Sequence, residues 1–376
     1  MNRKLGDVCQ FYAGTGFPVA YQGKLEGELP FYKVGDIANN VLAGNSYLKI
    51  CNNFISYDDA KEIKGTILPE GTIVFAKIGE ALKLNRRAIT SEDCLIDNNA
   101  MGIAPKKNFL SEKYFYYFMK QLKMQDLAES TTVPSVRKSK LEQVEITVPS
   151  IERQIEIEHI LDNVSKLILM RKQELKALDE LIKARFVEMF GVPDMNPMQW
   201  KQGELSKHLD VVGGYAFKSE QFEEEGIPVL RIGNINSGRF MPVNMVYWKQ
   251  DVALERYKMF PGDLVVSLTG TVGKDDYGNV CILGDEYPEY YLNQRNAKLC
   301  LKETIDKYYL SELLKFERIK KRLTGISRGV RQANISNRDI LGLNVPIPPI
   351  ELQHQFADFV HQVDKSKFIT QKQAYN

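Results

Sequence analysis

The sequence predicts an α+β chain: two similar mixed α/β domains, separated by long helices that pair as an antiparallel coiled coil and relate the halves by a pseudo-two-fold axis. Three observations carry that prediction. The phrase "VPSIERQ" at 148–154 returns as "IPPIELQ" at 347–353. A second phrase, "LPFYKVGDI" at 29–37, returns as "IPVLRIGNI" at 227–235, with Pro30/Pro228, Gly35/Gly233 and Ile37/Ile235 identical and Lys33 answered by Arg231. A stretch with neither Pro nor Gly runs from Ile151 to Phe190. Phrases repeated about half a chain apart indicate two copies of one module.

The first domain, 1–150, contains short β-branched and aromatic runs bounded by Gly and Pro, which read as strands of a mixed sheet. Its "PEGTIVFAKIG" (69–79) corresponds to "PGDLVVSLTG" (261–270), and its "NNAMGI" to "RNAKLC", pairing Asn99 with Asn296 and Ala100 with Ala297. The offset between copies wanders and returns, as expected of loops of different length on one scaffold. Apolar residues at helical spacing predict one helix per half, at 111–129 and 305–323. Each half closes with a strand, "VEITVP" and "LNVPIP", ended by its prolines.

The long helix, 151–191, would be about 60 Å in length. Ile157, Leu161, Val164, Ile168, Leu175, Leu178, Ile182 and Met189 form its seam, interrupted by Arg171 and Arg185. Such a helix cannot bury its face inside a small domain, so it needs a partner. The second domain, 192–349, leads to a second helix at 350–376, which offers Phe356, Val360 and Val363 for that packing.

Composition excludes several function classes. The 376 residues are 44% hydrophobic and 26% charged, which is ordinary for a globular protein. No apolar run is long enough to span a bilayer, and "MNRKLGDVCQFYAG" lacks the apolar stretch of a signal peptide, so a cytoplasmic location is expected. The five cysteines are dispersed and odd in number, against a disulfide framework or zinc site, and the four histidines are equally scattered. "SLTGTVGKDD" (267–276) fails as a phosphate loop: Leu268 stands where a Gly is needed, and Asp275 follows Lys274 where the motif has Ser or Thr. "GTGFPV" (14–19) lacks the third glycine of a dinucleotide fingerprint, so Gly14 and Gly16 read as turn residues. No nucleophile elbow, HExxH motif or calcium loop occurs, and "EEEG" at 223–226 reads as a solvated turn. The expectation is a binding protein with no catalytic residue, no metal and no cofactor of its own.

A net charge of +2 does not announce nucleic acid, but residues 314–331 hold seven Lys/Arg against one acid. If the two halves grip DNA, their readers should be donors on the loops that differ between them. In the first half these are Lys77, Arg86, Arg87, Arg137 and Lys138; in the second, Thr269, Lys274, Arg295, Arg328, Arg331, Gln332 and Asn334. The stretch Arg328 to Asn334, which Gly325 and Gly329 are expected to make a flexible loop, is the richest in donors.

The whole chain resembles the specificity subunits of type I restriction and modification enzymes. The resemblance rests on "LPFYKVGDI/IPVLRIGNI", on "SRGVRQANIS" followed by "VPIPPIELQ", and on a long helix after each globular half. It implies two target recognition domains, each reading half of a split sequence in double-stranded DNA. It implies a helix pair that sets the spacer and docks two modification subunits, which bind S-adenosylmethionine and methylate adenine. Separate restriction and motor subunits would join through the complex. Half-sites one turn apart lie about 34 Å from each other, within the reach of such helices. One departure is expected to matter: the second helix has only 27 residues and loses its seam at "KSKFITQKQAYN", predicting weaker, concentration-dependent assembly. Two other readings are a duplicated scaffold that binds only protein and a single-chain restriction or modification enzyme. The latter needs a catalytic Asn/Asp-Pro-Pro-aromatic motif, which "NPMQW" (196–200) is not.

Overall fold

The computed structural model describes residues 1–129, 133–235, 238–271, 276–324 and 332–375, the side chains of Gln332 and of 371–375 excepted. The chain forms two compact units, Met1–Met170 and Arg171–Asn376.

The first unit is closed by its own ends. Strand Asn2–Lys4 pairs antiparallel with Glu145–Thr147, so the last strand of the domain clasps the first. Above this clasp lies a four-stranded antiparallel sheet in the order Cys9–Ala13, Ala100–Pro105, Ile73–Ala76, Arg87–Ile89. A smaller sheet sets Leu29–Tyr32 between Phe54–Ile55, antiparallel, and Leu95–Ile96, parallel. Strands Ile73–Ala76 and Leu29–Tyr32 are buried at every position, which explains their unbroken apolar runs.

The second unit repeats this strand plan, with a fourth strand, Lys258–Met259, added to its small sheet and a second helix, Glu317–Thr324, following Lys307–Lys315 where one helix was expected. Its clasp joins Gln202–Glu204 to Asn344–Pro346. Its large sheet runs Leu209–Gly213, Asn296–Leu301, Leu264–Ser267, Val280–Ile282. Its small sheet sets Ile227–Leu230 between Val246–Trp248, antiparallel, and Tyr290–Leu292, parallel. The echoed phrase makes the same turn in both units: the backbone N–H of Lys33 donates to the Asp36 carboxylate, and that of Arg231 to the Asn234 side-chain oxygen, each at 2.9 Å.

One detail of the expected repeat is corrected. Ala76 pairs with Ala100, and Ser267 with Asn296, so Ala100 corresponds to Asn296 and the pairing expected from the shared "NA" is off by one. Ladder position, not residue identity, fixes which face a strand residue takes. Asn296 spends its buried amide on the Leu230 carbonyl at 2.8 Å, tying the two sheets together where the first unit has a plain alanine.

The long helix runs Ile151–Phe190, 40 residues, and the second runs Ile350–Tyr375. Within the second unit they pack antiparallel: Phe356 meets Phe186 and Phe190 at ring-centroid distances of 5.5 and 5.6 Å, Lys367 pairs with Asp179 at 3.0 Å, and Thr370 donates to Glu174 at 3.2 Å. Of the expected seam, Ile182, Phe356, Val360 and Val363 are buried and join the core of that unit, with Leu178 packed against it. Leu175, Ile157 and Leu161 are half-buried, while Val164 and Ile168 are exposed.

The repeated phrase ends in a buried glutamine in both copies. The Gln154 amide donates to the carbonyls of Phe109 (2.8 Å) and Pro149 (3.0 Å), and its oxygen accepts from the Ser111 N–H at 2.9 Å. Gln353 donates to the Pro348 carbonyl and accepts from the Asp306 N–H, both at 2.8 Å. Each glutamine therefore fastens the first turn of a long helix to the start of the domain helix beside it, Glu112–Gln121 or Lys307–Lys315. With both polar atoms of each amide hydrogen-bonded, the glutamines can be completely buried.

Candidate nucleic-acid interface

In each unit one edge is built from three chain segments sewn together by backbone hydrogen bonds. In the first, the Lys77 N–H donates to Asn99 at 2.8 Å, the Val136 N–H donates to Lys77 at 2.9 Å, and Ile78 bridges to Ser135. In the second, the Leu268 N–H donates to Arg295 and the Ile335 N–H to Leu268, both at 2.8 Å, and Thr269–Thr271 pairs with Gln332–Asn334 as a short ribbon. The segments that sequence reasoning took as separate loops thus converge: two border adjacent strands of the large sheet, and the third is hydrogen-bonded onto the first of them.

Thr269 is half-buried on this edge, and Arg295 and Asn334 are exposed beside it. Lys77 is half-buried at the matching place in the first unit. Lys77, Arg86 and Arg295 have no carboxylate partner among the described residues, so their charge is available to a phosphate or a base edge. Arg137 is exposed but paired with Glu129 at 2.6 Å, and Lys138 lies 3.5 Å from Glu142 and over the Phe11 ring. Both pairs are solvent-facing and weak enough to be exchanged for phosphate. Lys274, Arg328 and Arg331 fall outside the described residues, as does the side chain of Gln332.

Arg87 corrects the expectation. It is only 2% exposed, and its guanidinium donates to the backbone and side-chain oxygens of Asn85 (2.9 and 2.8 Å) and to the Leu122 carbonyl. Burial pulls its pKa down to about 10, still charged at neutral pH. Arg87 braces the turn at Asn85, whose φ is +54°, against the end of the Glu112–Gln121 helix, and cannot reach a ligand. Nothing in "KLNRRAIT" distinguishes it from Arg86; only its place on the strand Arg87–Ile89 does.

The basic segment 314–331 is also mostly neutralised where it is described. Lys315 pairs with Glu312, Arg318 with Asp194 and Lys321 with Glu317, while Lys320 is buried and donates to Asn279 at 2.7 Å. The five cysteines are unpaired, and burial pushes the Cys9 and Cys281 thiols up to about 12. Among the described residues no group of His, Cys, Asp or Glu could hold a metal ion, and no helix is long and apolar enough to cross a membrane.

A family model described as the type I restriction modification DNA specificity domain matches residues 1–180 and again 197–376. The chain is 25% identical to the specificity subunit of the type I restriction enzyme MjaVIII of Methanocaldococcus jannaschii, over 98% of this chain and 87% of that protein. It is 22% identical to the putative MjaX specificity subunit of the same organism, over 78% and 72%. Among solved structures, the S subunit of a type I restriction-modification system from M. genitalium covers 100% of this chain and 92% of its own, with a TM-score of 0.53. At 15% identity that likeness speaks for the fold alone.

Proposed function

The chain belongs to the type I restriction modification DNA specificity family, as a specificity subunit with two tandem specificity domains, and from that premise we propose that each of its units reads one half of a split duplex target. This role is recognition, not chemistry, and needs no cofactor in this chain. Adenine methylation and ATP-dependent cleavage belong to modification and restriction subunits, in the cytoplasm where the DNA is. The long helices set the spacing of the two words and dock the modification subunits, two per chain.

The observation that supports the reading most strongly is the paired edge. The same three segments converge in both units through the same backbone bonds, yet their side chains differ: Lys77, Asn99 and Ser135 in one, Leu268, Arg295 and Asn334 in the other. A shared scaffold with private donors is what two readers of different words require.

The complex reconstituted with its modification subunits tests this. It should bind duplex DNA with an affinity that falls steeply with salt, and methylate a target whose two specified parts flank an unspecified gap. Binding without any salt dependence would instead favour a protein scaffold.

A further inference from the structure

We infer that Tyr215 is a specificity-determining residue of the second unit, presenting its phenol hydroxyl to the DNA half-site which that unit reads. The inference rests on the proposed reading role and adds a residue outside the donors already named. Its origin is a glycine. A Cβ on Gly14 would collide with the carbonyl of Asp97, and one on Gly214 with that of Asn293, so in each unit only glycine lets the chain leaving the large sheet lie against that neighbouring segment. The glycine in "GTGFPV" is required for this close approach, and the next residue is thereby placed on the reading edge: Thr15 in the first unit, Tyr215 in the second.

Backbone bonds fix that placement. The Tyr215 N–H donates to Leu292 and its carbonyl accepts from the Gln294 N–H, each at 2.8 Å. Arg295 comes next, and its carbonyl in turn holds Leu268, beside Thr269 and Asn334. Tyr215 is thus tied, through the segment that carries Arg295, to the edge that also bears Thr269 and Asn334.

The side chain is pre-positioned. Its ring meets Phe217 edge-on at 5.0 Å and Tyr257 at 5.4 Å, and the Arg256 guanidinium lies 4.5 Å from the Tyr257 centroid. The residue nevertheless remains 38% exposed, and among the described residues its hydroxyl has no hydrogen-bond partner. A phenol whose ring is immobilised and whose hydroxyl is unused loses little rotamer freedom on contact with a base edge or phosphate. Thr15, at the matching position, instead accepts the Thr66 N–H at 3.0 Å with its hydroxyl, so this device belongs to one reader only.

The test is made on the reconstituted complex, measuring methylation of the cognate duplex against duplexes with single changes in either half-site. Y215F keeps the packed ring and removes only the hydroxyl; it should cut discrimination roughly tenfold at one or two positions of a single half-site, leaving the other half unchanged. Y215A should relax the same positions further. Wild-type discrimination in both variants would overturn the inference, as would an equal loss at both half-sites accompanied by a lowered melting temperature, the mark of a packing role. If the wild-type complex itself showed no sequence preference, the reading role would fail, and that control separates the two failures.

Discussion

The two units hold their helices by different means. In the first, the domain helix Glu112–Gln121 meets the long helix through a polar ladder: Ser111 and the Tyr114 N–H on Glu158, then Lys113 (2.5 Å) and the Tyr117 hydroxyl (2.6 Å) on Asp162. In the second, Phe186 sits fully buried among the rings of Phe190, Tyr309, Phe316 and Phe356. The terminal glutamine is common to both. The joint to the helix is thus fixed at one point by the repeated phrase, and each unit is free to complete it with polar or apolar contacts. The apolar stripe of the long helix lies exposed at Val164 and Ile168, while Ile182 is buried in the core it shares with Phe356, Val360 and Val363.

The contrast can be broken most forcefully at Phe186. Phe186→Ala should cost about 3–5 kcal/mol, because the ring is fully enclosed and its neighbours cannot all collapse into the gap. Chemical denaturation followed by tyrosine and tryptophan fluorescence should show the loss. Gln353→Leu and Gln154→Leu come next, at about 2–3 kcal/mol each, since each strands buried backbone groups that the amide now satisfies. Similar costs in both units would sharpen the view that this residue is the shared fastening.

Arg87→Ala and Arg295→Ala separate support from readout. The first should lower stability by about 1–3 kcal/mol through the unsatisfied Leu122 and Asn85 oxygens. The second should leave the melting temperature nearly unchanged and weaken discrimination in one half-site. Scanning calorimetry beside methylation assays would distinguish them.

The smallest effect is expected at Asp162→Asn. Although partial burial pushes the Asp162 carboxyl up, hydrogen bonds from Lys113 and Tyr117 bring it below the usual carboxylate range. A depressed acid contributes stability above its unfolded pKa and loses it as pH falls through the folded value. The pair is more than a third exposed, so the gain at neutral pH should stay below about 1 kcal/mol and vanish in strong acid. Melting curves of both proteins from pH 7 down to pH 2 would show the gap closing.

Much of the architecture was legible in the sequence because it is written twice. The clasp strands, the Ile151–Phe190 helix and the turn at Lys33 and Arg231 all follow from phrases that recur with their spacing. The candidate site was less legible. Arg86 and Arg87 are neighbours of identical charge, yet only Arg87 begins the fully buried strand Arg87–Ile89. Tyr215 carried no signal of its own, since its exposure depends on a close approach at Gly214 that sequence reading took for an ordinary turn at the equivalent Gly14. The glutamine that ends the repeated phrase was visible, but its function, satisfying three backbone groups at one helix start and two at the other, exists only once the chain has folded.

The central claim is that two copies of one scaffold read two separate words. Sequencing of the sites methylated by the reconstituted complex, carrying either Lys77→Ala or Arg295→Ala, tests it most directly. The account predicts a two-part motif with a fixed gap, in which the first substitution blurs one part and the second blurs the other. A single uninterrupted motif, or both substitutions blurring the same part, would contradict it.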